Sequence, residues 1–259
     1  MKVRICFSKT EAGRYLSHLD LARAMERGLR RAKAPLAFSE GYNPHPKIAF
    51  ASALAVGTTG RREYADVELA SRVNIRSFSG LLEAALPPAI AFVAAEEVGV
   101  GSRSLSAVIN LAIYRIVVQI RDEDEAKAAA GIAGLLAAGE LWRKPKEKPG
   151  KKPVPAKEVR GLVRRIEVIG TGEYDVSDAG ETAGDGMSSD ERPGAGYRAL
   201  TIEMELGMTA EGQLRPQELW EMIGEAGGVK AYPPATICRT ALLIQQDGKV
   251  FGPMEGVAV

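Results

Sequence analysis

The order in which hydrophobic periodicity changes along the first hundred residues constrains this chain more than any other feature of it. Val3 to Ser8 alternates with the period of a strand, and Ser17 to Lys33 repeats its apolar residues at helical spacing. Lys47 to Val56 and Glu63 to Leu69 read as paired strands joined by GTTGRR. Phe78 to Leu86 reads as a helix stopped by Pro87 and Pro88, and Ile90 to Val98 as a strand. The resulting βαββαβ order predicts an α+β fold of ferredoxin-like type, an antiparallel sheet with helices on one face. The remainder reads as a more degenerate copy: strand Leu111 to Ile120, helix Asp122 to Ala138, strands Arg164 to Ile169 and Tyr197 to Leu206, helix Pro216 to Ala226 and strand Ile237 to Gln245. Two such units in tandem are therefore expected, residues 1–100 and 106–259, with a boundary near Gly99 to Ser106.

Ser17 opens the first helix as a good N-cap, and Asp20 follows where an acid suits both the exposed amides and the helix dipole. At about 100° per residue, Leu21, Met25, Leu29 and Ala32 fall on one face and Arg23, Arg27 and Arg30 nearly opposite. A solvated outer face explains such arginines, and so does a surface that meets phosphates. From Met1 to Lys47 there are ten Lys and Arg against four acids, an excess of six, although the whole chain carries only +1.

A second polar feature is SEGYNPHPK, residues 39–47. Each proline fixes its own φ near about −65° and disfavours helical backbone in the residue before it, so Asn43 and His45 are expected to be extended. Gly41 supplies the unusual angle for entry. As a stiff strut the segment would align Asn43, His45 and Lys47 on one face, since they recur at a spacing of two. A rigid loop into the next strand accounts for the same residues; a preorganised polar site, begun by Ser39 and Glu40, is the sharper reading.

The chain has two histidines, His18 at the start of the helix and His45 in the proline segment. A helix N-terminus disfavours the imidazolium and keeps His18 suited to accepting a proton or binding metal. In the predicted order the two histidines can meet. They are candidates for an acid and base pair, or for a two-histidine metal site with Asp20, although no strong ligand spacing supports a metal.

Two stretches carry opposite charge. Residues 142–165 hold ten Lys and Arg against two Glu and are interleaved with prolines, an extended cationic arm suited to a polyanion, with Trp142 and Tyr114 as stacking candidates. Residues 172–193 hold seven acids and one arginine in a Gly- and Ser-rich context and read as a flexible acidic loop.

Cys6 and Cys238 lie far apart in strand-like runs and read as buried thiols of a reduced compartment, too few for a cluster. The apolar run after Met1 is broken by Ser8 and Lys9, and the region Leu81 to Val100 contains Glu83, two prolines, Glu96 and Glu97. Neither a signal peptide nor a membrane span is expected, and the location is read as cytoplasmic. GVGSRS lacks the lysine of a phosphate loop, and G-x-S-x-G, H-E-x-x-H and C-x-x-C motifs are absent.

At SHLD, SEGYNPHPK and IAFASALAVG the chain resembles the family of radical SAM-linked proteins, found fused behind or encoded beside radical-SAM enzymes with a cobalamin-binding domain. The likeness is clearest from Val3 to Leu69 and fainter through SAVINLAIYRI and KEVRGLV; Tyr42 and Ala55 depart mildly from the pattern. Carried onto this sequence it marks Ser17, His18, Asp20, Arg23, Ser39, Glu40, Gly41, Asn43, Pro44, His45, Pro46 and Lys47. It implies an accessory protein without a cofactor of its own, whose partner carries S-adenosylmethionine, cobalamin and an iron–sulfur cluster. The expectation is that Arg23, Arg27, Arg30, Lys47 and the arm contact RNA phosphates, while His18, Asn43 and His45 orient a nucleotide for modification. An RNA-processing enzyme using His18 and His45, and a purely protein-binding adaptor, are the alternatives.

Overall fold

The structure, a computed structural model, describes residues 1–144, 155–173, 197–209 and 212–254. It is a mixed α+β fold dominated by mostly antiparallel sheet, and contacts divide it into two compact units, Met1–Ala112 with Cys238–Val259, and Ile113–Ile237. Among the described residues no helix is long and apolar enough to cross a membrane.

In the first unit the strands are β1 (Lys2–Lys9), β2 (Ile48–Phe50), β3 (Thr59–Glu68) and β4 (Ile90–Val98), with helices α1 (His18–Arg31) and α2 (Ile75–Ala85). β1 lies between β3 and β4, antiparallel to both, and β2 pairs with the far edge of β3. The order across the sheet is thus β4-β1-β3-β2. Val3, Ile5 and Phe7 of β1 and Ala65, Val67 and Leu69 point to one face, where they bury against Leu21, Met25 and Leu29 of α1 and Phe78 and Leu82 of α2. This core follows from the period of two in the strands meeting the period of 3.6 in the helices.

The opposite face was expected to be free of helices, but it is covered. A short helix α3 (Leu105–Val108) packs toward β2 and β3, Lys2 reaches Ser102, and Arg4 donates to the Pro253 carbonyl at 2.8 Å. Leu105, Ile109 and Met254 are buried, because alternate residues of β1 and β3 leave a second surface that must be dried. Charges on that face are paired: Arg4 holds Asp66 with two bonds of 2.8 and 3.0 Å, directly across from it in register.

Tertiary context moved several boundaries. β3 begins at Thr59, inside the expected connection, since Gly60 pairs with Lys9 on one side and Arg239 on the other. β2 is short because the chain leaves the sheet after Phe50. α2 starts earlier than expected, where Asn74 caps the helix by accepting from Ser77 at 3.0 Å.

The second unit contains β5 (Leu111–Arg121), α4 (Glu125–Ala137), β6 (Trp142–Arg143), β7 (Lys157–Glu158), β8 (Val163–Glu173), β9 (Tyr197–Thr209), β10 (Gly212–Gln213) and α5 (Pro216–Gly227). β11 (Thr236–Gln246) then returns to the first unit, followed by β12 (Lys249–Phe251). β9 is flanked by β5 and β8, and β6 pairs with β7. The acidic run Asp122–Asp124 forms a single 3-10 turn, so α4 starts three residues later than expected. α4 and α5 approach closely at Gly131, where a Cβ would lie 2.5 Å from the Ile223 carbonyl oxygen. Trp220 is fully buried on α5 and donates to the Tyr232 carbonyl at 2.9 Å.

Candidate functional site

The first turn of α1 is fixed by its cap. Ser17 Oγ accepts from the Asp20 amide at 3.2 Å and donates to the Asp20 carboxylate at 2.6 Å. That places His18 at the first helical position, where its ring meets Phe50 edge to face with centroids 5.4 Å apart. His18 Nδ1 is buried without a hydrogen-bond partner. A buried polar atom left unpaired carries a desolvation cost, and Arg115 Nε and Gln119 Nε2 are in the same position among the described residues.

The proline segment is not the straight strut expected. Ser39 N–H donates to the His45 carbonyl at 2.9 Å, and His45 N–H donates to Ser39 Oγ at 3.1 Å, so residues 39–45 close into a loop. Gly41 turns it with φ 116°. The prolines do bar helix, as expected, but the polar groups of Ser39 sit where they can satisfy the backbone of His45, and closure follows. Asn43, His45 and Lys47 therefore do not lie along one strand: Asn43 is exposed at the loop and Lys47 pairs with Glu68 at 3.2 Å. Ser39 Oγ lies 2.9 Å from His45 Nδ1, which leaves Nε2 as the free nitrogen.

His18 and His45 line one cavity of about 330 Å³. α1 contributes His18, Leu19, Arg23 and Glu26 to its wall, and the opposite side is His45, Pro46, Ile48 and Phe50. An apolar slot with a few convergent polar groups is the usual form of a small-ligand site.

Buried charges hold the segment after β2, whose Ala53 lines the cavity, and sequence reasoning missed them. Lys9 is 1% exposed and donates to the carbonyls of Arg14 and Leu16 at 3.0 Å each and of Ala55 at 3.4 Å, tying the approach to α1 to the segment after β2. Burial pushes its ammonium below the usual lysine value, partly opposed by the nearby Glu63 carboxylate. Glu63 in turn takes two bonds from Arg239, 2.8 and 2.5 Å, and Arg239 also reaches the carbonyls of Ser52 and Ala53 at 3.4 and 3.5 Å. The available signal was the single charge in an otherwise uncharged strand at Arg239, whereas Glu63 stands among other charges in β3; which charge meets which is a property of the fold.

The basic excess of the N-terminal region is largely consumed. Arg4, Lys9 and Arg14 are buried, and Arg31 donates to the Ala85 carbonyl. Near the cavity Arg23 faces Asp20 at 3.6 Å and Arg30 pairs with Glu26 at 2.8 Å while lying over Phe38. Arg27 is exposed and, among the described residues, has no ion pair; Glu40 is exposed at the loop. Arg23, Arg30 and Lys47 thus each meet a carboxylate, Asp20, Glu26 and Glu68 in turn. Asp20 does not line the cavity, and among the described residues no three His, Cys, Asp or Glu side chains are arranged to hold a metal.

Most cations in the described part of the arm are likewise engaged, while Arg164 is exposed. Arg143 pairs with Glu218, Lys144 with Glu225, and Arg165 with Glu203 and Glu205. Arg160 donates to the Leu136 and Ala138 carbonyls at 2.8 and 3.0 Å, capping α4. Trp142 is exposed, but Tyr114 is buried and offers no stacking surface, because β5 turns it inward. The lysines of residues 145–154 and the acidic stretch beyond Glu173 lie outside the described residues.

Residues 2–216 match a family described as uncharacterized protein conserved in bacteria, DUF2344; that description names no enzyme partner. No curated protein sequence matches the chain. Among solved structures it is similar to a Cbf5-Nop10-Gar1 complex, with 14% identity and a TM-score of 0.47 over 93% of this chain and 48% of the other. It is also similar to the archaeal box H/ACA sRNP Nop10-Cbf5 complex, with 13% identity and a TM-score of 0.46 over 92% and 46%. The chain spans about half the length of these structures.

Proposed function

We propose, starting from the fact that the chain belongs to the DUF2344 family of bacterial proteins, that it is a binding component which holds RNA for a partner enzyme. The observation that carries this reading is that His18 and His45 line one cavity, with Arg23 in the same wall. His18 and the free nitrogen of His45 would orient a base, and Arg23, Arg27 and Arg30 would approach its phosphate. Asn43, Ser39, Glu40, Asp20 and Lys47 shape the loop and rim around it.

The partner, on this proposal, is the cobalamin-dependent radical-SAM enzyme that the SHLD and SEGYNPHPK motifs imply. S-adenosylmethionine, cobalamin and the cluster would belong to that partner. The reading of both units as ferredoxin-like is part of the same proposal; what supports it is the β4-β1-β3-β2 order in the first unit and β9 between β5 and β8 in the second.

A salt titration of RNA binding tests the phosphate role. Affinity should fall as ionic strength rises, and His18→Ala should weaken binding at every salt concentration. Affinity indifferent to salt removes the arginines from the reading. A second reading, acid and base cleavage of RNA, draws on the same pairing of two imidazoles in one cavity. It predicts His18-dependent cleavage of an RNA pool in chelator, and is discarded without it. An adaptor that binds protein alone would instead co-purify with its partner after nuclease treatment, carrying no RNA.

A further inference from the structure

Tyr42 has no role in the reading above, yet it is 107% exposed, the most exposed large apolar side chain among the described residues. It is not on a frayed end. It sits at the turn of the closed 39–45 loop, held by the Ser39 N–H bond to the His45 carbonyl, by the His45 N–H bond to Ser39 Oγ, by the bridge between Phe38 and Pro46, and by the 2.9 Å bond from Lys47 N–H to the Ala37 carbonyl. The loop therefore presents an aromatic ring to solvent three residues from His45, which lines the cavity.

Charge bears on what meets that ring. Arg23 and Arg30 are matched by Asp20 and Glu26, so phosphate contacts supply only part of the affinity for a nucleic acid held here and its bases supply the rest. The cavity, about 330 Å³, has room for one small group. A duplex keeps its base faces stacked, whereas an unpaired strand has bases free to insert and to stack on aromatic side chains.

We propose that Tyr42 is the stacking platform for the nucleotide adjoining the one in the His18–His45 cavity, which makes this site a reader of unpaired RNA. This rests on the RNA-binding reading and adds to it a residue and a strand requirement. Because the Tyr42 ring touches little of the protein, its replacement leaves the fold intact, and thermal unfolding of the variant verifies this.

The test measures binding of a labelled ten-nucleotide single strand and of its duplex to the wild-type protein, Tyr42→Ala and Tyr42→Phe. The single strand should bind the wild type more tightly than the duplex does. Tyr42→Ala should weaken it about tenfold, and Tyr42→Phe should restore it, since stacking needs the ring and not the hydroxyl. Unchanged affinity in Tyr42→Ala, no rescue by Tyr42→Phe, or a duplex bound as tightly as the single strand overturns this proposal while leaving RNA binding standing. If neither RNA binds the wild type, the RNA-binding reading falls first and this one with it.

Discussion

Removing Arg239 should cost far more than an ordinary arginine substitution. Its side chain is fully buried, it makes two bonds to Glu63, and Glu63 is itself only 3% exposed. Breaking one side of such a pair leaves a charge in a dry interior and typically costs about 3–5 kcal/mol. In Arg239→Met the Glu63 carboxylate keeps only the field of Lys9; in Glu63→Met two buried cations, Lys9 and Arg239, face each other uncompensated, and this variant should be the worse of the two. Against a total stability of roughly 5–15 kcal/mol, either change brings the first unit near its folding limit. The double variant should fall short of the summed single losses by about 2 kcal/mol or more, because the second substitution removes the charge that the first one stranded. Both tryptophans, Trp142 and Trp220, lie in the second unit, so indole fluorescence is the wrong probe. Hydrogen exchange at the β3 amides, followed as urea is raised, reports on the first unit. Single losses below about 1 kcal/mol that simply add would refute the argument that this pair holds the segment after β2.

Burial pushes the Cys6 thiol up to about 11, with a hydrogen bond to Tyr64 working against it. The native protein at pH 8 should therefore alkylate slowly at Cys6, and blocking of Cys6 at a rate matching a free thiol contradicts its environment. A raised thiol stabilises the fold below about pH 9, and the contribution, roughly 3 kcal/mol, is lost as pH climbs through 11. Lys9, whose ammonium is lowered, has the opposite sign over the alkaline range, so the comparison to make is wild type with Cys6→Ala: the variant should show a shallower fall between pH 9 and 11. Gly131→Ala should force α4 and α5 apart and lower stability by about 1–3 kcal/mol; an unchanged unfolding midpoint would mean the helices yield freely.

Much of the local structure was legible because its causes are local. Ser17 and Asp20 announce the start of α1, the spacing of Leu21, Met25 and Leu29 announces its buried face, and the β4 strand runs from Ile90 to Val98 as its alternation requires. The two histidines were marked as a possible pair by topology, and they do share a cavity. What misled was the treatment of charge. A count of lysines and arginines suggested a strongly basic surface, whereas Arg4, Lys9 and Arg14 are inside and Arg23, Arg30 and Lys47 face carboxylates.

The amino-acid sequence by itself determined the main strands and helices of the first hundred residues to within a few positions, which helix face is apolar, and that residues 39–47 are barred from helix, since those depend on side chains a few positions apart and on proline geometry. Only the tertiary structure decided that Glu63 meets Arg239 across 176 residues, that Lys9 ties two remote loops, and that the proline segment closes on itself and turns Tyr42 to solvent. Those outcomes depend on which strands become neighbours, and burial then compels each stranded charge or amide to find whatever partner the fold brings within reach.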